Sequence, residues 1–133
     1  IFLRIDLLKK LLKDIYPLAQ IRIEKIKDNL NKKLKDIDNK NIDQNRFEQE
    51  LIFYLEKQDI TEEQVRLESH LNYFKDIAKK ESPNGKKLGF IVQEISREIN
   101  TIGSKSFNAE MQKIVVEMKD ELEKIKEQLL NIL

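Results

Sequence analysis

The stretch LGFIVQEISREINTI, residues 88–102, decides the fold because its apolar residues recur every three or four positions. At about 100° per residue, this spacing places them on one side of an α-helix, and such a helix must bury its apolar side against other helices. We therefore predict a helix over residues 88–102 that Gly103 ends. Its apolar side consists of Leu88, Ile91, Val92, Ile95, Ile99 and Ile102.

The same periodicity extends along the rest of the chain. Residues 1–38 are predicted to form one long amphipathic helix of about 50 Å. Pro17 should kink or split it, because proline removes a backbone hydrogen bond. The last helix, over about residues 108–132, has apolar residues alternately four and three apart, which is a heptad seam.

Two shorter helices are predicted between these. The second helix covers about residues 44–57, with Asp43 as its cap. The third begins at Thr61 and ends near Lys80, before the loop ESPNGKK. The expected buried residues are Phe47, Leu51 and Tyr54 or Leu55 in the second helix, and Val65, Leu67, Leu71, Phe74 and Ile77 or Ala78 in the third.

No segment shows the alternating pattern of a strand. We therefore predict an all-α fold of long antiparallel amphipathic helices that form a helical bundle with coiled-coil-like hairpins. The 25 basic and 24 acidic residues leave a net charge of +1, so charge alone does not identify nucleic acid as a partner. The absence of cysteine fits a reducing compartment. No apolar run approaches the roughly 20 residues of a membrane span, and we expect a cytoplasmic protein without a membrane partner.

A polar stripe lies opposite the apolar side of the fourth helix. Glu94 and Glu98 are four residues apart in it, so their carboxylates lie on adjacent turns. Either Arg97 or a Mg²⁺ or Mn²⁺ ion could offset their repulsion. A solvated face with a structural ion pair and a metal site are therefore both open. The stripe consists of Phe90, Glu94, Arg97, Glu98, Thr101 and Lys105.

The third helix contains a related pattern in EEQVRLESH, residues 62–70. Arg66 is four residues from both Glu62 and His70, and Glu63 lies two turns from His70 on nearly the same side. His70, the only histidine, could be a general base, a metal ligand or a surface residue.

Arg46 in the second helix can pair with Asp43 and Glu50, which favours capping and a salt bridge there. The sequence lacks a glycine-rich phosphate loop, and a lone histidine without cysteine argues against structural zinc or a hydrolase triad.

Taken together, four segments closely resemble the C-terminal half of the bacterial YicC/YloC family, whose members were once called stress-induced proteins. The strong resemblance covers about residues 40–133, and residues 1–38 match only as a long helix. Two departures are Gly89, where the family usually has Asp, and the ending KEQLLNI. The segments are DQNRFEQE (43–50), DITEEQVRLESH (59–70), NGKKLGFIVQEISREINTIGSKS (84–106) and VVEMKDELEKIKEQLLNI (115–132).

This resemblance implies an endoribonuclease that cuts RNA with a divalent metal, Mg²⁺ or Mn²⁺. It also implies a division into a long helix, 1–38, and a C-terminal domain, 39–133, an absent N-terminal domain, and a homo-oligomer, possibly a hexamer. Two other classes stay open: a non-catalytic RNA-binding or adaptor protein, and a structural oligomerisation module.

Roles for single residues follow from the resemblance as expectations. His70, Glu94, Arg97 and Glu98 are the catalytic candidates. Arg66, Arg97, Asn100 and Lys105 are expected to bind RNA, and Glu63, Glu94 and Glu98 to hold the metal. Asp43, Arg46, Glu50 and Glu62 are expected to form structural ion pairs.

Overall fold

Helices make up nearly all of the described chain. The computed structural model describes residues 1–36, 44–80, 85–106 and 108–132. No strand occurs in these ranges, so the prediction of an all-α fold is confirmed. None of the described helices is both long and apolar enough to cross a membrane. The helices are α1 (Phe2–Asp36), α2 (Gln44–Glu56), α3 (Thr61–Ala78), α4 (Gly85–Lys105) and α5 (Ala109–Ile132).

Four of these helices form a closed bundle in which α1 contacts α3 and α5, and α4 contacts the same two helices. Two ion pairs connect α1 to its neighbours: Lys75 Nζ lies 3.0 Å from Asp6 Oδ1, and Arg4 Nη1 lies 3.1 Å from Glu121 Oε2. Tyr16, further along α1, lies 3.5 Å from the Thr61 hydroxyl at the start of α3. Because Tyr16 meets the start of α3 while Asp6 meets its later part, α1 and α3 are antiparallel. The predicted bundle of antiparallel helices is confirmed.

The core is built from the apolar side of each bundle helix. All six apolar residues predicted for the fourth helix are buried. The heptad seam of α5 is also buried over its described side chains, which are Met111, Val115, Met118, Leu122, Ile125 and Leu129. In α3 the predicted Leu67, Leu71, Phe74 and Ile77 are buried. The prediction for Val65 was wrong, because its side chain points away from the core and is 58% exposed.

Helix α1 runs through Pro17 without a break, so the expected split does not occur. Pro17 is exposed to solvent. Among the side chains described for α1, residues 1–32, the buried positions end shortly after Pro17: they are Ile5, Leu8, Leu12, Ile15 and Ala19. The predicted domain boundary between residues 38 and 39 lies outside the described residues.

Beyond Ala19, α1 and α2 form a hairpin that we call the arm, residues 20–36 and 44–56. A cleft of about 500 Å³ lies between Ile26 and Leu30 of α1 and Phe47 and Leu51 of α2. Phe47, Leu51 and Leu55 are only half-buried and Tyr54 is exposed, so the predicted burial of α2 is partial. The reason is that α2 has no extensive contact with α3, α4 or α5.

Gly103 does not end α4, which continues to Lys105. A Cβ atom at Gly103 would lie 3.1 Å from Val115 Cγ1, so glycine serves the close approach of α4 to α5. The turn to α5 is held by side chains: Gln112 Nε2 donates to the Gly103 carbonyl at 2.8 Å, and Asn108 Oδ1 accepts from Met111 N at 2.7 Å. The expectation that Gly103 ends α4 was wrong. The glycine lies within the helix, at its close approach to α5.

The core assignment predicts a contrast between Ile95 and Val65. Ile95 is fully buried in the middle of α4, so Ile95→Ala should lower the free energy of unfolding by about 2–5 kcal/mol through lost burial and a cavity. Val65→Ala, at an exposed position, should change it by less than about 0.5 kcal/mol. Urea denaturation measures both values. Equal losses in the two variants would contradict the assignment.

Candidate functional site

The antiparallel packing of α3 against α4 brings the two predicted polar clusters together. Arg66 Nε on α3 donates to Glu98 Oε1 on α4 at 3.0 Å. Lys105 Nζ, near the end of α4, donates to Glu63 Oε1, near the start of α3, at 2.8 Å. The later residue of α3 meets the earlier residue of α4, so the two helices are antiparallel. The two contacts also define which residues of α3 and α4 lie opposite each other.

Glu63 and Glu98 are buried, with 3% and 5% of their surface exposed. A buried carboxylate needs a cation and hydrogen bonds to offset its lost hydration. Arg66 serves both carboxylates, since its Nη2 lies 3.8 Å from Glu63 Oε1. The hydrogen bond that Arg66 donates to Glu98, reinforced by the negative charge of that carboxylate, raises the pKa of Arg66. Glu98 therefore does not lie on the solvated stripe predicted for α4; it lies at the edge of the core and faces α3.

Lys105 also binds the segment that leads into α3. Its ammonium donates to the Asp59 carbonyl at 3.0 Å. The Asp59 carboxylate accepts from the backbone N–H of Thr61 at 2.9 Å and from the Thr61 hydroxyl at 2.5 Å. Asp59 was not among the predicted residues, although an Asp two residues before a helix start is a recognisable turn signal. Lys105 thus holds the junction of α2 and α3 against the end of α4.

Two buried acceptors at this end of the bundle lack a partner among the described residues: Glu63 Oε2 and Gln58 Oε1. Gln58 directly precedes Asp59 in the same junction and is 4% exposed. Buried acceptors of this kind normally receive a hydrogen bond, often from water.

One helical turn further along the pair, the side chains are more exposed. His70 follows Arg66 by one turn of α3, and Glu94 precedes Glu98 by one turn of α4, so the antiparallel register brings these turns to the same level. His70 is half-buried. Arg97 Nη2 lies 4.0 Å from Glu94 Oε1, and their side chains are 74% and 45% exposed. An ion pair this exposed adds little to stability. Because both side chains reach solvent, both charged groups are accessible to a ligand.

The predicted metal ligands do not gather around one point. Within the described ranges, no group of three or more His, Asp or Glu side chains is arranged to hold an ion. Instead, Glu63 accepts a hydrogen bond from Lys105, and Glu98 accepts one from Arg66. Magnesium is often held by one or two carboxylates together with substrate phosphates, and in the predicted set Glu94 has the exposed carboxylate. The three residues thus do not fit a preformed metal site.

The remaining predicted residues have separate places. Asn100 is exposed on α4. Arg46 lies 3.3 Å from Glu50, and Arg66 lies 3.3 Å from Glu62. Asp43 lies outside the described residues. The Arg46 pair belongs to the arm, and the Glu62 pair joins the α3–α4 network.

Comparisons with known proteins agree with this architecture of the chain. The sequence model of the family described as "Endoribonuclease YicC-like, C-terminal" matches residues 15–133. A protein of Clostridioides difficile named "Probable endoribonuclease YicC" is 42% identical over 134 aligned residues, which cover 99% of this chain and 46% of that protein. A Haemophilus influenzae protein of the same name is 41% identical over 92 residues, which cover 69% of this chain and 32% of that protein.

The chain thus spans less than half the length of these two curated relatives. The family match nevertheless covers most of the chain, including every residue of α2 to α5 and the second half of α1. It also contains both buried ion pairs between α3 and α4. The chain therefore belongs to the family described as endoribonuclease YicC-like, C-terminal.

Proposed function

We propose that this chain is the part of an endoribonuclease in which RNA meets the outer face of α3 and α4, which we call the α3–α4 face. The observation that carries the proposal is the order of side chains along this helix pair. Lys105 pairs with Glu63 and Arg66 pairs with Glu98, and in this antiparallel register the next turns of the two helices carry His70 and Glu94. The names of the relatives support RNA as the substrate.

The groups of this face divide into two layers by burial. The inner layer consists of the Lys105–Glu63 and Arg66–Glu98 pairs, whose carboxylates are buried and which join α3 to α4. The outer layer consists of His70, Glu94 and Arg97, which retain access to solvent. We assign the holding of the helices to the inner layer, and the contact with RNA to the outer one and to the exposed part of Arg66.

Charge stabilisation falls to the two arginines of this face. Arg97 is largely exposed, so its guanidinium can bind a phosphate with two parallel hydrogen bonds. Arg66 is held by Glu98 through Nε, and about half of its side chain is exposed. Its fixed orientation suits stabilisation of the charge that develops on the phosphate as the bond breaks. Glu98 is then a positioning residue that orients Arg66.

Proton transfer falls to His70, because an imidazole takes up and releases protons near neutral pH.

Two routes are open for the attack on phosphorus. In the metal-dependent route, Glu94 would hold the divalent ion with a phosphate of the RNA, and the ion, when bound, supplies an activated water or a polarised phosphate. In the other route, His70 removes the proton of the ribose 2′-OH and that oxygen attacks the adjacent phosphorus. The bond from phosphorus to the 5′ oxygen of the next nucleotide then breaks, and that oxygen takes up a proton from water. Hydrolysis usually leaves a 5′ phosphate, whereas the second route leaves a cyclic or 3′ phosphate.

Burial of the inner layer is also what a structural oligomerisation module would show. Such a module would need the buried ion pairs, but it would not need accessible groups in the outer layer. An RNA-binding protein without catalysis would use the same arginines and yield no new RNA ends. The proposed homo-oligomer is compatible with all three classes, so cleavage itself distinguishes them.

The inner layer predicts a stability loss on removal of Lys105. Lys105→Met leaves Glu63 buried without its closest cation and should lower the free energy of unfolding by about 3 kcal/mol. Lys124→Met is the matched control, since Lys124 pairs with Asp120 and Glu121 near the surface of α5, and its loss should be below about 1 kcal/mol. Chemical denaturation measures both. Similar small losses in the two variants would remove the structural role from Lys105.

The outer layer predicts a loss of cleavage without a loss of stability. In the full-length protein, His70→Gln and Glu94→Gln should each slow the cutting of end-labelled RNA by about 100-fold or more, with an unchanged Tm. Glu127→Gln, which removes the same charge as Glu94→Gln from an exposed position of α5, should cut at the wild-type rate. Wild-type rates in both outer-layer variants would refute the assignment.

Metal dependence is tested by the same assay with and without EDTA. The metal-dependent route predicts that chelation stops cleavage and that Mg²⁺ or Mn²⁺ restores it. Cleavage that persists in EDTA and leaves cyclic phosphate ends would select the route through the 2′-OH. The absence of new ends under every condition would leave RNA binding as the function.

A further inference from the structure

Two exposed aromatic side chains stand at one end of the α3–α4 face. Tyr73 on α3 is 43% exposed and Phe90 on α4 is 57% exposed. Tyr73 follows Arg66 by two helical turns, and Phe90 precedes Glu98 by about two turns, which is a distance of about 10 Å along the pair. The register set by the Arg66–Glu98 contact therefore brings Tyr73 and Phe90 to the same level, one turn beyond His70 and Glu94.

A direct contact supports this register. The ammonium of Lys87 lies 5.4 Å from the centre of the Tyr73 ring, so the ring faces the first turns of α4. The core does not use either ring, because the neighbouring Phe74 and Ile91 fill the buried positions at this level. Each ring thus keeps part of its surface in water, where large apolar groups are costly.

Tyr73 shares its surface with Glu68 and Asp76, whereas the side of Phe90, at the start of α4, carries the exposed Lys86 and Lys87. Residues 75–90 contain five Lys against one Asp and one Glu. Helix α4 begins here at Gly85 with no acidic residue in its first turn, and the N-terminal end of a helix favours negative charge. Phosphate groups complement this charge, and aromatic rings complement the faces of bases.

We propose that Tyr73 and Phe90 form a stacking platform for an unpaired base of the RNA, beside the His70–Glu94 level where cleavage is assigned. The substrate would then be RNA with a single-stranded segment at the cut, because the bases of an A-form duplex are stacked on one another and cannot reach a protein ring. This inference rests on the proposed function and names its substrate class. Lys86 and Lys87 bind the phosphates that flank the stacked base.

The arm offers a closely matched control. Phe53 on α2 is 61% exposed and carries Lys57 at 4.5 Å from its ring centre, which is the same combination of ring and cation. It belongs to α2, outside the four-helix bundle. A general effect of removing an exposed ring would therefore appear in Phe53→Ala as well.

Fluorescence anisotropy of the full-length protein with a labelled single-stranded oligoribonucleotide, and with a blunt duplex of the same sequence, tests the proposal. Tyr73→Ala and Phe90→Ala should each weaken single-strand binding about 5- to 150-fold, the fold-change expected for one lost base stack. Tyr73→Phe should retain wild-type affinity because the ring remains. Phe53→Ala should match the wild type, and duplex binding should be unchanged in all variants.

Three outcomes overturn the inference. Unchanged single-strand affinity in both alanine variants removes the platform, and equal losses for duplex and single strand assign the rings a structural role. Light scattering could show a lower oligomeric mass for the alanine variants while their affinity for single-stranded RNA is unchanged. This result would assign the rings to a contact between copies of the chain. If the wild type cleaves RNA while the variants bind normally, only this inference fails; if the wild type neither binds nor cleaves RNA, the proposed function fails with it.

Discussion

The fold and its candidate site depend on two carboxylates buried between α3 and α4. Glu63 and Glu98 lie at the edge of the core, where a charge is tolerated only beside a cation. The cations come from the other helix of the pair, Arg66 for Glu98 and Lys105 for Glu63. A shift of α3 along α4 by one turn would separate Glu98 from Arg66 and Glu63 from Lys105. The two pairs therefore specify the register, while the surrounding isoleucines and leucines supply most of the stabilisation.

This register has a consequence on the outer surface. It aligns His70 with Glu94, and it brings Tyr73 and Phe90 to one level beyond them. The groups assigned to chemistry are thus held by a layer from which only Arg66 needs to reach RNA. The separation also explains how a face rich in acidic residues could serve an anionic substrate. The charges of Glu63 and Glu98 are neutralised within the protein, whereas Arg97 and the lysines at the start of α4 are exposed.

Sequence periodicity predicted the parts of the fold that apolar burial determines. The isoleucines of α4 and the heptad seam of α5 are spaced so regularly that only one side of each helix could be buried.

Periodicity failed where contact with a neighbouring helix decides whether a side chain is buried. Val65 is exposed and Glu63 is buried because α4 approaches α3 from the side of Glu63 and supplies Lys105. Gly103 reads as a helix end, yet it permits contact with Val115. Glu98 was assigned to a polar stripe because spacing alone does not show that Arg66 lies across the helix pair. Spacing does not show that the two polar clusters meet, and their division into buried and accessible layers required the structure.

The central claim is that RNA contacts the α3–α4 face through its outer layer. Photo-crosslinking tests it most directly, with a photoreactive side chain introduced into the full-length protein at the position of Arg97 or, as a control, of Val116, which is 63% exposed on α5. Our account predicts crosslinks to single-stranded RNA from the first position and background levels from the second. Equal yields at both positions, or crosslinks only from the second, would contradict it.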